Sequence, residues 1–250
     1  MKSSYHRGRR FIEKTASFTL IELLVVVVII AILAALSTSA IGPIRASMQQ
    51  TQCSNNMRQI GQGLFSYATE HDNTLPPVFS IKPSNASGQQ DYWNWAIWSY
   101  VYPGTTPQWP NNDTQFSSKA VVKWSPNAFR CPSTSRGAIK APTVSVLSDA
   151  RMSYGLNNTM MLIDGSGTWQ DMRTASIPLA RMTRPGQTAM VLEASNAEAG
   201  FSVWGTTTGI IPHRSGANVL FFDGHVEWWS GSSIPAGSWS VYTNVFWRGL

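Results

Sequence analysis

Apolar positions follow two different patterns along this chain of 250 residues. From Phe18 to Leu36, FTLIELLVVVVIIAILAAL, they form an unbroken run except for Thr19 and Glu22. As a helix this run is about 28 Å long, which matches the hydrocarbon thickness of a bilayer. Further on, Cys53, Met57, Ile60, Leu64 and Tyr67 recur at alternating steps of four and three, which places them on one face of a helix. The pattern predicts a single helix running to about residue 70. A kink is expected at Gly42-Pro43, where proline removes a backbone hydrogen bond and crowds the preceding turn.

After His71-Asp72-Asn73 and Pro76-Pro77 the helical pattern is over. Residues 76–150 are rich in Ser, Pro, Asn, Gly and Trp, which predicts short strands or helical turns joined by long loops. Met152–Leu156, Thr188–Glu193 and Val219–Trp229 read as strands, with Arg184-Pro185-Gly186 as a turn. The last of these is a hairpin candidate, VLFF-Asp223-Gly224-HVEW. A two-residue type I′ turn at Asp223-Gly224 needs positive φ at both positions. In that register Val219, Phe221, Val226 and Trp228 share one face, expected to be core, and Leu220, Phe222, His225 and Glu227 share the other.

Charge orients the amino-terminal run. Lys2, Arg7, Arg9, Arg10 and Lys14 stand against Glu13 in the first 17 residues, and this excess is expected to keep that end in the cytoplasm. Most of the formal net charge of +6 belongs to this leader, so no nucleic-acid footprint is indicated. Glu22 is the anomaly. An ionised carboxylate in the membrane costs about 2.5 to 3.5 kcal/mol on insertion scales, and a plain anchor gains nothing from it. A cut between Ser17 and Phe18 would free an α-amino group that could pair with the Glu22 of a neighbouring copy. A secretory signal peptide with Thr38-Ser39-Ala40 as its small-x-small site has too short an apolar core for this run and leaves Glu22 unexplained.

SFTLIELLVVVVIIAILAAL resembles the cleavage and methylation segment of type IV pilins and type II secretion pseudopilins. Phe18 matches the first mature residue and Glu22 the fifth; Ser17 stands where those families usually carry Gly. A second resemblance lies near the other end, where His213, nine intervening residues and Asp223-Gly224 look like the processing-associated H-X9-DG domain of DUF1559-like prepilin-type proteins. CSNNMRQIG at 53–61, FRCPS at 129–133 and RPGQTAMVLE at 184–193 resemble further blocks of that group. The resemblance implies an inner-membrane prepilin cut by a prepilin peptidase/N-methyltransferase, with a globular domain outside. Its partners would be the lipid bilayer, copies of itself, other pilin-like subunits, and the membrane assembly platform of a secretion or pilus system. No chemistry comes with the H-X9-DG element.

Cys53 and Cys131 both follow the membrane run, in a compartment that permits disulfides. Pro132 pushes Cys131 toward extended geometry, as at a strand end or turn. A staple from helix to sheet and two buried thiols both fit. A bond would close a loop of about 80 residues, for about 4 kcal/mol in the chain-entropy model. A metal site built on two cysteines so far apart is set aside. His213, Asp223, His225 and Glu193 have the side chains for a cation site, but Asp223 also suits a turn and His213 could hydrogen-bond the hairpin. Asp164-Gly165-Ser166-Gly167 reads as a calcium loop or as a tight turn. No nucleophile motif, phosphate loop or zinc spacing occurs, and no enzyme activity or cofactor is expected. Eleven tryptophans, with Trp93, Trp95 and Trp98 clustered, serve as core or subunit interface, or as a sugar-binding platform.

The reading is an α+β, pilin-like fold with a long helix against an antiparallel sheet. Residues 1–17 form the leader, 18–41 the membrane and filament-core helix, 42–70 its amphipathic continuation and 71–250 the periplasmic or extracellular domain. The expected function is a structural subunit of a pseudopilus or pilus-like filament. The alternative is a membrane-anchored periplasmic glycan-binding protein.

Overall fold

A computed structural model describes residues 19–81, 90–105, 128–133, 153–157, 162–163, 169–170, 176–194, 198–199, 211–235 and 245–249. The leader, Ser17, Phe18, Met152 and Asp164–Gly167 lie outside the described residues. The chain divides into two compact units, Met1–Arg45 and Ala46–Leu250.

The helix α1 spans Leu20–Glu70 and includes Pro43 without interruption. In the first unit its apolar side chains are exposed on every side, from Val26 at 46% to Leu20 at 88%. In the second unit it becomes one-sided: Cys53, Met57, Ile60 and Leu64 are fully buried, as their spacing predicts, and Tyr67 is partly buried. The helix stops where Asp72 and Asn73 adopt φ of 50° and 54° and the Asn73 N–H reaches back to the Ala68 carbonyl at 2.9 Å. Such a left-handed close satisfies carbonyls that the helix end leaves orphaned.

Short elements follow: β1 (Thr74–Leu75), β2 (Phe79–Ile81), β3 (Gln90–Tyr92), α2 (Trp93–Ala96) and α3 (Trp98–Val101). Then come β4 (Tyr154–Asn157), β5 (Leu162–Ile163), β6 (Trp169–Gln170) and β7 (Ile177–Pro178). The chain ends with β8 (Ala189–Glu193), β9 (Glu198–Ala199), β10 (Gly216–Phe221), β11 (Val226–Ser230) and α4 (Val245–Arg248). The main sheet has the order β11-β10-β8-β4-β9. Its first four strands are antiparallel, and β9 joins β4 in parallel. Arg184-Pro185-Gly186 opens a 3-10 turn, Pro185–Gln187, immediately before β8.

The sheet is covered on both faces. One face carries Tyr154, Leu156, Val191 and Leu220, which share a core with Cys53, Met57, Ile60 and Leu64 of α1. The other carries Leu192, Ala217, Val219 and Phe221, which meet Ile234, Phe246 and Trp247. Every residue of β8 and β10 is therefore buried, as expected of central strands covered on both sides. Trp93 and Trp98 lie in the first core with Trp95 packed against it, so these rings fill the interior instead of forming an exposed platform.

The hairpin β10–β11 forms, but one register away from the expected one. Leu220 faces Val226 and Val219 faces Glu227, so Val219 and Phe221 do not share a face with Val226 and Trp228. Phe221 instead stacks on His225, with ring centroids 4.3 Å apart. Only Gly224 takes positive φ, 90°, and its N–H bonds the Phe221 carbonyl at 3.0 Å. The loop has three residues, a type I turn closed by a left-handed glycine, instead of a type I′ pair. Turns with positive φ at both centres occur elsewhere, at Asp72-Asn73 and at Arg214 (51°) and Ser215 (61°) ahead of β10.

Candidate functional site

Two places carry chemistry. The first is the start of α1. The Glu22 N–H donates to Thr19 Oγ1 at 3.3 Å, while Glu22 Oε2 accepts from the Thr19 N–H at 2.8 Å and its hydroxyl at 2.9 Å. This reciprocal pair is a capping box, which satisfies two donors that a helix start otherwise leaves open. The carboxylate thus already has a partner within its own chain, which the sequence reading missed although Thr19-x-x-Glu22 is the capping signature. Both bonds fall on Oε2.

The second place is buried in the domain. The Cys53 and Cys131 sulfurs are bonded at 2.11 Å, with Cα atoms 5.2 Å apart. Cys131 sits in the turn 128–133, which is held to α1 by the Asn56 amide donating to the Arg130 carbonyl at 3.0 Å. His213 Nε2 lies 3.4 Å from Cys131 Sγ and 2.8 Å from Glu193 Oε1. The Glu193 carboxylate also accepts the Asn218 backbone N–H at 2.8 Å and its side-chain amide at 3.3 Å. Cys53, Cys131 and Glu193 are fully buried and His213 nearly so. One donor atom from each of the four lies within 4.8 Å of all the others.

Each member is placed by local structure. Glu193 ends β8 opposite Tyr154. The Tyr154 hydroxyl donates to the Cys53 carbonyl at 3.4 Å. His213 is fixed by paired backbone bonds with Gly216 across the Arg214-Ser215 turn, and its carbonyl accepts the Trp228 indole N–H at 2.9 Å. Burial pushes the Glu193 carboxyl above its ordinary 4.5, against the hydrogen bonds from His213 and Asn218. Burial, and then the neighbouring Glu193 charge, hold the Tyr154 hydroxyl well above 10.

The four-residue cation set suggested by the sequence does not assemble. His213 and Glu193 meet at the start of β10, whereas Asp223 and His225 pair with each other beyond its far end. His225 Nδ1 is 2.5 Å from Asp223 Oδ1, and the His225 N–H bonds the same oxygen at 3.1 Å. Burial raises the Asp223 carboxyl, but these bonds outweigh it and hold the group below its ordinary 3.8. Asp223 also abuts Gly186, where an added Cβ would stand 2.9 Å from Oδ2. The sequence overlooked the cysteine–histidine contact because no local spacing signals it. Asn218 and Tyr154 were likewise missed.

The family described as "Protein of unknown function (DUF1559)" matches residues 43–209, and the prokaryotic N-terminal methylation motif matches residues 14–38. No curated protein and no solved structure matches the chain. The methylation motif, together with one apolar helix near the amino end, fits a membrane-anchored, pilin-like subunit. The chain belongs to the DUF1559 family of proteins of unknown function and carries a prokaryotic N-terminal methylation motif at residues 14–38.

Proposed function

We propose that this protein is a structural, non-enzymatic subunit of a filament, a type II secretion pseudopilus or a type IV pilus-like fibre. The carrying observation is the apolar half of α1, whose large apolar side chains from Leu20 to Leu36 are exposed among the described residues, joined to the methylation motif. Exposed apolar surface on this scale needs lipid or other copies of itself.

In this reading the precursor crosses the bacterial inner membrane once, with the basic leader in the cytoplasm and the domain in the periplasm. A prepilin peptidase/N-methyltransferase cuts after Ser17 and methylates the Phe18 amine. A membrane assembly platform then moves the helix from lipid into a filament core. There Glu22, held at the helix start by Thr19, meets the positive amine of an adjacent copy and offsets the cost of a charge in an apolar environment. The glycan-binding alternative loses its main support, because Trp93 and Trp98 are core residues.

Mass spectrometry of the amino terminus of the protein recovered from its native membrane tests the pathway. N-methylphenylalanine at Phe18 is the expected result. A chain retaining residues 1–17, or one starting near Ile41, overturns it.

A further inference from the structure

The disulfide is sealed beside a histidine–carboxylate pair that it does not need. Covering a buried S–S bond with apolar side chains would be cheaper, since desolvating an ionisable pair costs several kcal/mol per ion before pairing offsets it. What the pair adds is donor atoms. We propose that in the thiol form of the protein Cys53, Cys131, Glu193 and His213 bind one zinc ion, so that metal and disulfide are alternative occupants of one site.

The donor set fits the ion. Two thiolates, one imidazole and one carboxylate suit tetrahedral zinc, with bonds of about 2.0 to 2.3 Å. Three of the four donors are positioned by contacts that do not involve the S–S bond. The Asn218 N–H orients the Glu193 carboxylate on its other oxygen, at 2.8 Å. The backbone pairing with Gly216 and the Trp228 indole hold the His213 loop. The Asn56 bond to the Arg130 carbonyl holds the Cys131 turn against α1. Such outer contacts are what fix metal-ligand geometry in general.

The exchange balances. Zinc binding to the dithiol forms two Zn–S bonds and releases two protons. Oxidation by a disulfide-bearing partner transfers two electrons from the thiolates to the partner, forms the Cys53–Cys131 bond, leaves the partner as a dithiol after it takes up two protons, and frees the ion.

The test uses the full chain in detergent. A phosphine reduces the disulfide: the cysteines gain two electrons and two protons, and the phosphine becomes its oxide with oxygen from water. Excess zinc or cobalt(II) is added, and unbound metal is removed. The expected result is one metal per reduced chain and none per oxidised chain, with a thiolate-to-cobalt charge-transfer band. Cys131→Ser lowers the intensity of that band, and Cys53→Ser with Cys131→Ser abolishes it. Glu193→Gln and His213→Ala each weaken zinc binding more than ~10-fold, as loss of a positioned donor does. If the reduced chain unfolds without metal, zinc restores its circular dichroism and melting transition. A reduced, folded chain that takes up no metal overturns the proposal. So does zinc that fails to restore an unfolded one, or binding insensitive to both Glu193→Gln and His213→Ala, which marks thiol capture by an unstructured chain.

Discussion

Glu193 Oε1 and His213 Nε2 stand 2.8 Å apart inside the domain, joining the end of β8 to the loop that leads into β10. Through Cys131 the same contact reaches the turn 128–133, and through the disulfide it reaches α1. Helix, turn, sheet and hairpin loop therefore meet at one buried point.

Removing the covalent part of that junction lowers stability. Cys53→Ala with Cys131→Ala is expected to cost about 2–4 kcal/mol, because the unfolded chain regains the freedom of a long loop. Denaturant unfolding of the variant in detergent, compared with the oxidised parent, measures it.

The Arg214-Ser215 turn holds His213 at a conformational cost, since neither residue favours positive φ. Ser215→Gly is expected to raise stability by about 0.5–1 kcal/mol, seen as a higher melting temperature with the His213–Glu193 contact retained.

Gly216→Ala is expected to be severe. A Cβ there would lie 2.4 Å from the Trp229 backbone oxygen and 2.4 Å from the Trp228 ring, and the backbone cannot give way cheaply. Overpacking of this kind costs about 1–3 kcal/mol. Gly61→Ala is the contrast. The nearest atoms to its Cβ would be those of the Leu220 side chain, from 3.2 Å, and helix propensity returns about 0.5–1 kcal/mol. A melting curve for each should separate the two.

Asp223 gives the hairpin an acid-side dependence. Its carboxyl sits below 3.8 when folded, so the unfolded state takes up the proton first as pH falls. The Asp223 contribution is present above about pH 4 and is lost as pH falls through the folded value. Asp223→Asn should flatten acid unfolding below about pH 4. The side chain is 41% exposed, so the change is small.

Charge and capping at the helix start can be separated. Glu22→Gln keeps a capping-box residue but removes the charge, whereas Thr19→Val removes the capping hydroxyl and keeps the charge. In the proposed filament, Glu22→Gln is expected to lose most incorporation while still inserting in membrane. Thr19→Val should show a modest loss, in line with about 1 kcal/mol for an N-cap. Sheared filament yield against total membrane protein measures both.

The parts of this molecule that were legible in its sequence are those set by local periodicity. Cys53 to Tyr67 announced the buried face of α1, and Thr188–Glu193 read as a strand where β8 forms, whereas the reading of Val219–Trp229 left out Gly216–Asn218, the first half of β10. Register was less legible. Asp223-Gly224 is compatible with both a two-residue and a three-residue loop, and packing of Phe221 on His225 accompanies the second. The buried quartet was least legible, because its members are brought together by the docking of elements far apart in the chain. Thr19 was the exception: its signal was local and was passed over.

The order of residues around the disulfide sets a schedule for maturation. Cys53 and Cys131 both precede Glu193 and His213, so in the proposed topology, with the leader held in the cytoplasm and the chain emerging from α1 onward, the sulfurs are exposed before the segment that will roof them. Oxidation during passage would act on an open bond; once the final hairpin docks, enzymes that reshuffle cysteines lose their access.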